Sequence, residues 1–358
     1  MTGLVLLLPM LAVGGLRLEG TYARPEAPFA AAAGEAGSTA VARTDPAITG
    51  WAKGYEEYLP GSGVDAVWQQ PEEALGPAGT ESGAVVVLGR GGKITLTFAR
   101  PLRDGAGPDF AVFENGFGSG FLELAYVEVS SDGKHFVRFP AYSLTAAPVP
   151  GFGTIDPTLI TGLAGKYRLG YGTPFDLGIL EAAYQEAVKK EDWNGPEAAE
   201  FSQAYRDALV ANFPFIDLQR VTHVRVVDIA GDGSALDAEG FPIYDPYPTS
   251  ITTGFDLDGV AVLKEATELD PSAPPAPEVG LGENEDREPE LRLRLELDPD
   301  SNLSPTIEAS TELQTWNAIA PPVREEVVTG TGSDRRREVT YGIPLDDSVR
   351  FIRVLYTE

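Results

Sequence analysis

Alternating hydrophobic and polar positions predict a chain built mainly of short β-strands. Ile94, Leu96 and Phe98 alternate with threonines, and residues 109–115 and 124–130 form similar short runs, DFAVFEN and LAYVEVS. A period of two places alternate side chains on opposite faces of a sheet. Glycine-containing turns separate these runs, GRGG at 89–92 as a tight hairpin and SDGK at 131–134. The pattern predicts an all-β fold.

A helical pattern interrupts the strands at about residues 176–212. Leu177, Leu180, Ala183, Tyr184 and Val188 recur at helical spacing, as do Phe201, Tyr205, Leu209 and Val210. Asn194-Gly195-Pro196 separates the two halves. We therefore expect a helical hairpin inserted into a β domain.

Composition shifts divide the chain further. Residues 24–44 are rich in alanine and glycine without a period, which predicts a flexible leader before a domain at 45–263. Four prolines and a dense acidic run at 264–290 are typical of a linker. Strict alternation resumes with LRLRLELD at 291–298, which predicts a small β domain at 291–358.

The apolar run at residues 3–13 has the length of a signal-peptide core and is too short to span a bilayer. It predicts a signal peptide at 1–23, with an uncertain cleavage site, and hence an exported protein that is extracellular, on the cell surface or periplasmic. No basic residue precedes the run, and a buried first strand is the alternative. No later segment is apolar enough for an integral membrane span.

Charge and cysteine content exclude several functions. The formal net charge is −27, which repels phosphate backbones and excludes nucleic acid as an expected partner. The same charge serves solubility or a salty habitat equally well. The chain has no cysteine, so disulfides, zinc–thiolate sites and cysteine nucleophiles are excluded.

Several motifs together resemble a family of exported bacterial cell-surface proteins of the PEP-CTERM-associated type. They include DPAITGWAKGYEEYLPG at 45–61, DGAGPDFAVFENGF at 104–117 and DPYPTSITTGFDLDGVAVL at 245–263. The resemblance covers about residues 45–263. VEVSSDGKHF at 127–136 is similar to galactose-binding-like, discoidin-type jelly rolls, and IEASTELQTWNAI at 307–319 is similar to a small C-terminal domain of verrucomicrobial exported proteins. The resemblance implies a jelly-roll β-sandwich and an external location, and says little about activity. No apolar helix with a basic tail precedes Glu358, so a sorting anchor is not expected.

Acidic residues on three segments predict a calcium site. Calcium takes six to eight oxygen ligands, mostly carboxylates and carbonyls on loops. The candidate ligands are Asp104, Asp109, Glu114, Asn115, Asp228, Asp232, Asp256 and Asp258. If the segments meet in the fold, their carboxylates would need a cation. The alternatives are that these acids are turn residues, or that Glu114 pairs with Arg103 or Arg225.

Clustered aromatic residues are candidate ligand contacts, because exposed rings stack on sugar faces. They are Trp51, Tyr55, Trp68, Tyr244 and Tyr247, and core packing is the alternative.

No nucleophile elbow, zinc-protease motif or phosphate loop is present. The sequence therefore predicts a non-catalytic surface-binding or structural protein, with calcium as a possible cofactor and a glycan or cell-surface polymer as a possible partner. A calcium-dependent carbohydrate-binding module and a carboxylate-dependent glycan-active enzyme are the alternatives.

Overall fold

The structure divides into two units, which we describe separately. A computed structural model describes residues 3–7, 25–118, 120–189, 201–250, 253–266, 278–284, 286–297, 304–310, 317–329, 336–344 and 351–357. The large unit is Arg17–Thr267, and the small unit combines Met1–Leu16 with Glu268–Glu358. Strands hold 40% of the residues and helices 13%, which confirms the all-β prediction.

The large unit contains 17 described strands and two helices. The strands are β2 (Val41–Ala42), β3 (Gly50–Trp51), β4 (Gly54–Leu59), β5 (Val86–Val87), β6 (Lys93–Leu102), β7 (Phe110–Glu114), β8 (Ala125–Ser130), β9 (Val137–Arg138), β10 (Tyr142–Ser143), β11 (Val149–Pro150), β12 (Ile160–Thr161), β13 (Tyr171–Phe175), β14 (Val221–Asp228), β15 (Asp232–Leu236), β16 (Pro242–Tyr244), β17 (Pro246–Tyr247) and β18 (Asp256–Val262). The helices are α1 (Gly178–Lys189) and α2 (Gln203–Asn212).

Two antiparallel sheets form the body of the large unit. One has the order β2-β13-β7-β18-β3, with β5 also paired to β18, and the other has the order β4-β6-β14-β8-β9. Ile94 and Val226 of the second sheet belong to the same buried cluster as Phe110 and Val260 of the first. The two sheets therefore share one hydrophobic core.

Strand β7 is buried along its whole length because both of its faces are covered. Phe110 and Val112 face the shared core. Ala111 and Phe113 face a second cluster with Trp51 and Val41, and the Trp51 and Phe113 rings lie 5.2 Å apart. A strand covered on both faces has no polar alternation, which explains the sequence FAVFE.

The glycine-rich turn at 89–92 does not close a hairpin, and this prediction is wrong. Strand β5 pairs with β18, whereas β6 pairs with β4 and β14 in the other sheet. The turn carries the chain between sheets. By contrast, the SDGK turn does join paired strands, β8 and β9, and Gly133 has φ 73°.

The helical insertion lies close to its predicted position. Leu180 and Ala183 of α1 and Leu209 of α2 contribute to the core. Ser202 caps α2 by accepting a hydrogen bond from the Tyr205 amide at 3.3 Å. The Asn194-Gly195-Pro196 break lies outside the described residues. No helix in the described ranges is long and apolar enough to cross a membrane.

The segment predicted as a flexible leader contributes a few buried residues where the structure describes it. Phe29, Ala32 and Val41 are each 8% exposed, and the Phe29 amide donates to the Thr158 carbonyl at 2.9 Å. Most of the other described residues of this segment are half-buried or exposed, in irregular backbone.

The small unit holds eight described strands in two four-stranded sheets, of order β1-β25-β21-β22 and β19-β20-β24-β23. The strands are β1 (Gly3–Leu7), β19 (Glu278–Glu283), β20 (Pro289–Leu297), β21 (Ser304–Ser310), β22 (Asn317–Ile319), β23 (Val323–Thr329), β24 (Arg336–Pro344) and β25 (Phe351–Thr357). The alternating leucines Leu291, Leu293 and Leu295 form its core with Ile307 and Ile343.

Two predicted segments contribute strands to the small unit. Part of the predicted signal peptide forms β1, which pairs with β25 from Gly3↔Leu355 to Leu7↔Phe351. This strand corresponds to the alternative that the sequence leaves open. Part of the predicted linker forms β19, which pairs with β20. Residues 267–277, the proline-rich part of that linker, lie outside the described residues.

Candidate functional site

The candidate metal ligands fall at the two ends of strand β7. Asp109 precedes the strand and Glu114 ends it. At about 3.3 Å per residue these two positions lie about 17 Å apart. The sequence left open whether the acidic segments meet at one site, and the structure places Asp109 and Glu114 at separate ends of the strand.

The Lys264 cluster comprises Asp104, Asp109, Asp176 and Lys264. Within the described residues, the three aspartates are a set of carboxylates whose oxygens lie within 4.8 Å of one another. Lys264 Nζ lies 2.9 Å from Asp109 Oδ1 and also donates to the Ala106 and Gly107 carbonyls at 2.7 and 2.5 Å. Asp109 Oδ2 accepts from the Leu177 amide at 2.7 Å. The ammonium group of Lys264 thus supplies one positive charge beside the buried carboxylate of Asp109.

Burial raises the pKa of Asp109, and the Leu177 amide and Lys264 oppose that rise. Asp109 is fully buried, so its charge requires these partners. Asp109, which the sequence proposes as a calcium ligand, pairs with a lysine in this structure, and Asp104, the other proposed ligand at this end, lies beside it.

The glutamate cluster comprises Glu114, Glu123 and Asp256 at the other end of β7. The three are 1%, 3% and 1% exposed. Glu114 lies opposite Leu257 of β18, the strand that Asp256 begins, and Asn115 Nδ2 donates to Asp256 Oδ2 at 3.1 Å. Glu123 lies two residues before β8. Here the structure does bring together Glu114, Asn115 and Asp256.

Each glutamate of this cluster has one buried oxygen without a hydrogen-bond partner among the described residues. The Gly116 amide donates to Glu114 Oε2 at 2.7 Å, and Glu123 has a side-chain hydrogen bond with Thr249. Glu114 Oε1 and Glu123 Oε1 are buried and have no hydrogen-bond partner among the described residues. Unsatisfied buried oxygens of this kind are rare in native proteins.

Burial and mutual repulsion raise the pKa values in the glutamate cluster. Burial is the largest cause for Glu123, whose pKa rises to about 10, and the charges of Asp256, Asp245 and Asp228 add to it. The pKa of Glu114 is raised well above its usual value, first by burial and then by Glu123 and Asp256. The charges with the largest effect on both glutamates are all negative.

Asp228 and Asp258 hold loops through backbone hydrogen bonds. Asp228 accepts from the Phe255 and Gly91 amides at 2.7 and 2.8 Å, and burial raises its pKa to about 8. Both oxygens of Asp258 accept from the Gly79 amide, at 2.9 and 3.1 Å. These two candidates lie near the glutamate cluster, and their oxygens already have partners.

Asp232 is an exposed turn residue, and its Oδ1 accepts from the Ser234 amide at 2.9 Å. Hydrogen bonds to Ser234 lower its pKa. The alternative interpretation of the sequence, in which these acids are turn residues, applies to Asp232.

The predicted aromatic contacts are mostly packed against the protein. Trp51 packs on Phe113, the Arg90 guanidinium lies 5.2 Å from the centre of the Tyr247 ring, and Tyr244 packs against a buried cluster. Trp68 is half-buried. Tyr55 is 37% exposed, and its hydroxyl donates to Glu72 at 2.9 Å.

A different set of rings forms an exposed aromatic patch, which we define as Phe117, Phe121 and Phe152. Phe117 is 56% exposed and Phe152 69%. Phe121 and Phe152 stack with centroids 5.8 Å apart at 18°, and Phe117 lies 6.3 Å from Phe121. Phe152 has φ 62°, a conformation that costs energy for a non-glycine residue. Phe117 and Phe121 belong to the segment that connects Glu114 to Glu123.

Sequence reasoning missed Glu123, Asp176, Lys264 and the aromatic patch. Glu123 lies in FLELAYVEV, where an acid in an apolar run is the same signal that identified Glu114. Lys264 lies two residues after the end of the buried strand β18. The patch had no signal in the sequence, because its rings come from two separate loops.

A cavity of 310 Å³ lies beside α1. Apolar residues and prolines line most of it, among them Phe139, Phe175 and Ile179, and one carboxylate, Asp176, contributes to the wall. Glycoside hydrolysis uses a facing pair of carboxylates, and this lining supplies one.

No family model matches the chain, and neither the curated proteins nor the solved structures contain a match.

Proposed function

We propose that the chain is an exported, non-catalytic binding protein, built on a jelly-roll sandwich and stabilised by calcium. The observation that carries the binding function is the aromatic patch. Its rings contact one another at the surface, although exposing them costs hydrophobic stabilisation and Phe152 adopts an unfavourable backbone conformation. Large exposed apolar groups that lie together are typical of interaction sites.

An uncharged glycan or cell-surface polymer is the ligand that fits the patch. Aromatic faces stack on the apolar faces of sugar rings and anchor interfaces. The net charge of −27 disfavours polyanions. The carbohydrate-binding alternative is thus a more specific form of the same function. The glycan-active enzyme has less support, because the described cavity offers a single carboxylate.

The binding proposal is tested by substituting the patch. Phe152→Ala and Phe117→Ala should each weaken binding to glycans identified on an array by about tenfold or more, as expected for truncated interface anchors. Phe241→Ala is the matched control, because Phe241 is 60% exposed and outside the patch. Equal affinity of the patch variants and the control would contradict the proposal.

Export rests on the apolar run at 3–13 and on the resemblance of residues 45–263 to exported surface proteins. Mass spectrometry of the native protein should find an N-terminus beyond about residue 20. Such cleavage would remove β1 and leave β25 as an edge strand. An intact Met1 on a cytosolic protein would contradict export and would agree with β1 as a permanent strand of the small unit.

A further inference from the structure

The glutamate cluster combines deep burial with incomplete hydrogen bonding. Glu114, Glu123 and Asp256 are at most 3% exposed, yet Oε1 of both glutamates has no described hydrogen-bond partner. A buried carboxylate without a full set of partners is costly. The cluster therefore requires a further partner for these carboxylate oxygens, which the described contacts do not supply.

The two unpartnered oxygens lack a positively polarised partner. Oε1 of Glu114 and Oε1 of Glu123 accept no hydrogen bond from the described residues. A cation that binds both oxygens directly would supply the missing partner.

The backbone around the cluster is shaped to hold the carboxylates. A side chain at Gly116 would place its Cβ 2.5 Å from Glu114 Oε2, so glycine allows the amide to approach and bind that oxygen. The Asn115 amide group donates to Asp256 Oδ2 and to the Ser82 carbonyl at 2.7 Å. These contacts orient Glu114 and Asp256 and leave Glu114 Oε1 available.

We propose that Glu114, Glu123 and Asp256 together bind one calcium ion. Three carboxylates in an all-oxygen setting suit a hard divalent cation. Among the described residues, the carboxylates whose oxygens all lie within 4.8 Å of one another are those of Asp104, Asp109 and Asp176. The oxygens of Glu114, Glu123 and Asp256 lie farther apart, and calcium, whose coordination geometry is flexible, would draw them together. Magnesium needs a tighter octahedron and retains water, which a buried site disfavours. The Lys264 cluster is less favoured as a metal site, because an ammonium group already pairs with Asp109 there.

The proposed site has a consequence for the aromatic patch. Glu114 and Glu123 bracket the segment that carries Phe117 and Phe121, so one ion would fix both ends of that segment. The inference deepens the calcium part of the proposed function and is independent of the ligand. The experiment below contains no glycan, so its failure leaves the binding proposal intact, and a failed glycan screen leaves the calcium site intact.

The test measures calcium binding and thermal unfolding of the full chain after treatment with a chelator. Isothermal titration at pH 8 should find calcium binding at one site in this cluster. The melting temperature should rise by about 5 °C when calcium is one hundred times its dissociation constant, and by less in equal magnesium. Glu123→Gln and Glu114→Gln should each lose most of the calcium affinity, at least tenfold. Glutamine keeps an oxygen that can accept the existing hydrogen bonds.

Asp104→Asn is the matched control, because it removes a carboxylate from the Lys264 cluster. It should bind calcium like the parent chain. The proposal is overturned if the parent binds no calcium, or if both glutamine variants bind it as the parent does. Loss of binding in Asp104→Asn alone would overturn it too, since the ion would then belong to the Lys264 cluster. If a glutamine variant fails to fold, the other variant and the parent titration decide the result.

Discussion

The two ends of strand β7 solve the same electrostatic problem differently. At one end, Lys264 pairs with Asp109 through an ammonium group supplied by the chain. At the other end, Glu114 and Glu123 are as deeply buried, and the largest charge effects on them come from other acids. The difference teaches that acidic content alone does not identify a metal site. What matters is whether the fold brings a basic residue to the acids.

Removing Lys264 should leave the acidic cluster at each end of β7 without a basic partner. Lys264→Met leaves Asp109 buried without its cation, which should lower the free energy of unfolding by about 3–5 kcal/mol. Urea unfolding measures this loss. Because Asp104, Asp109 and Asp176 would then lack an ammonium, millimolar calcium should recover part of it.

Lys93→Met is the control for that experiment. Lys93 pairs with Glu57 at 3.0 Å on the surface, and an exposed pair of this kind contributes less than about 1 kcal/mol. If both variants lose the same free energy of unfolding, the burial of Asp109 does not strengthen its ion pair with Lys264.

The second expected effect is a pH dependence of stability that comes from the buried acids at the glutamate cluster and near it. The folded-state pKa values of Asp228 and Glu123, about 8 and about 10, lie above the ordinary values of 3.8 and 4.5. Their contribution to stability is fully present below pH 4 and is lost as pH rises through the folded pKa values. Without calcium, the free energy of unfolding should therefore fall by about 2–3 kcal/mol per pH unit between pH 5 and 8, because each of the two groups contributes about 1.4.

Calcium should reduce this loss, because it stabilises the ionised carboxylates. Asp132 acts in the opposite direction: its pKa is lowered to about 2, so its contribution is present above pH 3.8 and is lost as pH falls through 2. Thermal unfolding from about pH 2 to 9, with chelator and with calcium, measures both effects. A metal-free protein that is more stable at pH 8 than at pH 5 would contradict the assignment of the buried acids.

The smallest expected effect concerns the aromatic patch. Phe152→Gly should raise the free energy of unfolding by at most about 1 kcal/mol, because glycine adopts φ 62° without strain. The same substitution should weaken ligand binding, since it removes a ring that is 69% exposed. Chemical denaturation measures the free energy of unfolding, and a glycan-binding assay on the same sample measures the affinity. A loss of stability would show that Phe152 packs as a structural residue.

Most of the fold class was predictable because it depends on local pattern. The alternating leucines of β20 and the helical spacing in α1 predicted elements that the structure contains. The GRGG turn was misassigned because a tight turn looks the same whether it joins paired strands or carries the chain between sheets. The candidate site was predicted in part: Glu114, Asn115 and Asp256 do lie together, whereas Asp232 is an exposed turn residue.

The sequence by itself determined that the chain is β-rich, acidic and free of cysteine, and that carboxylates lie within apolar runs. These properties depend on composition and on spacing along the chain. Only the tertiary structure decided which carboxylates are neutralised, because Lys264 is 155 residues from Asp109 in sequence and 2.9 Å from it in space. The pairing of β7 with β18 places Lys264 beside Asp109 and Asp256 near Glu114. That pairing gives the Lys264 cluster a basic residue and leaves the glutamate cluster as the candidate cation site.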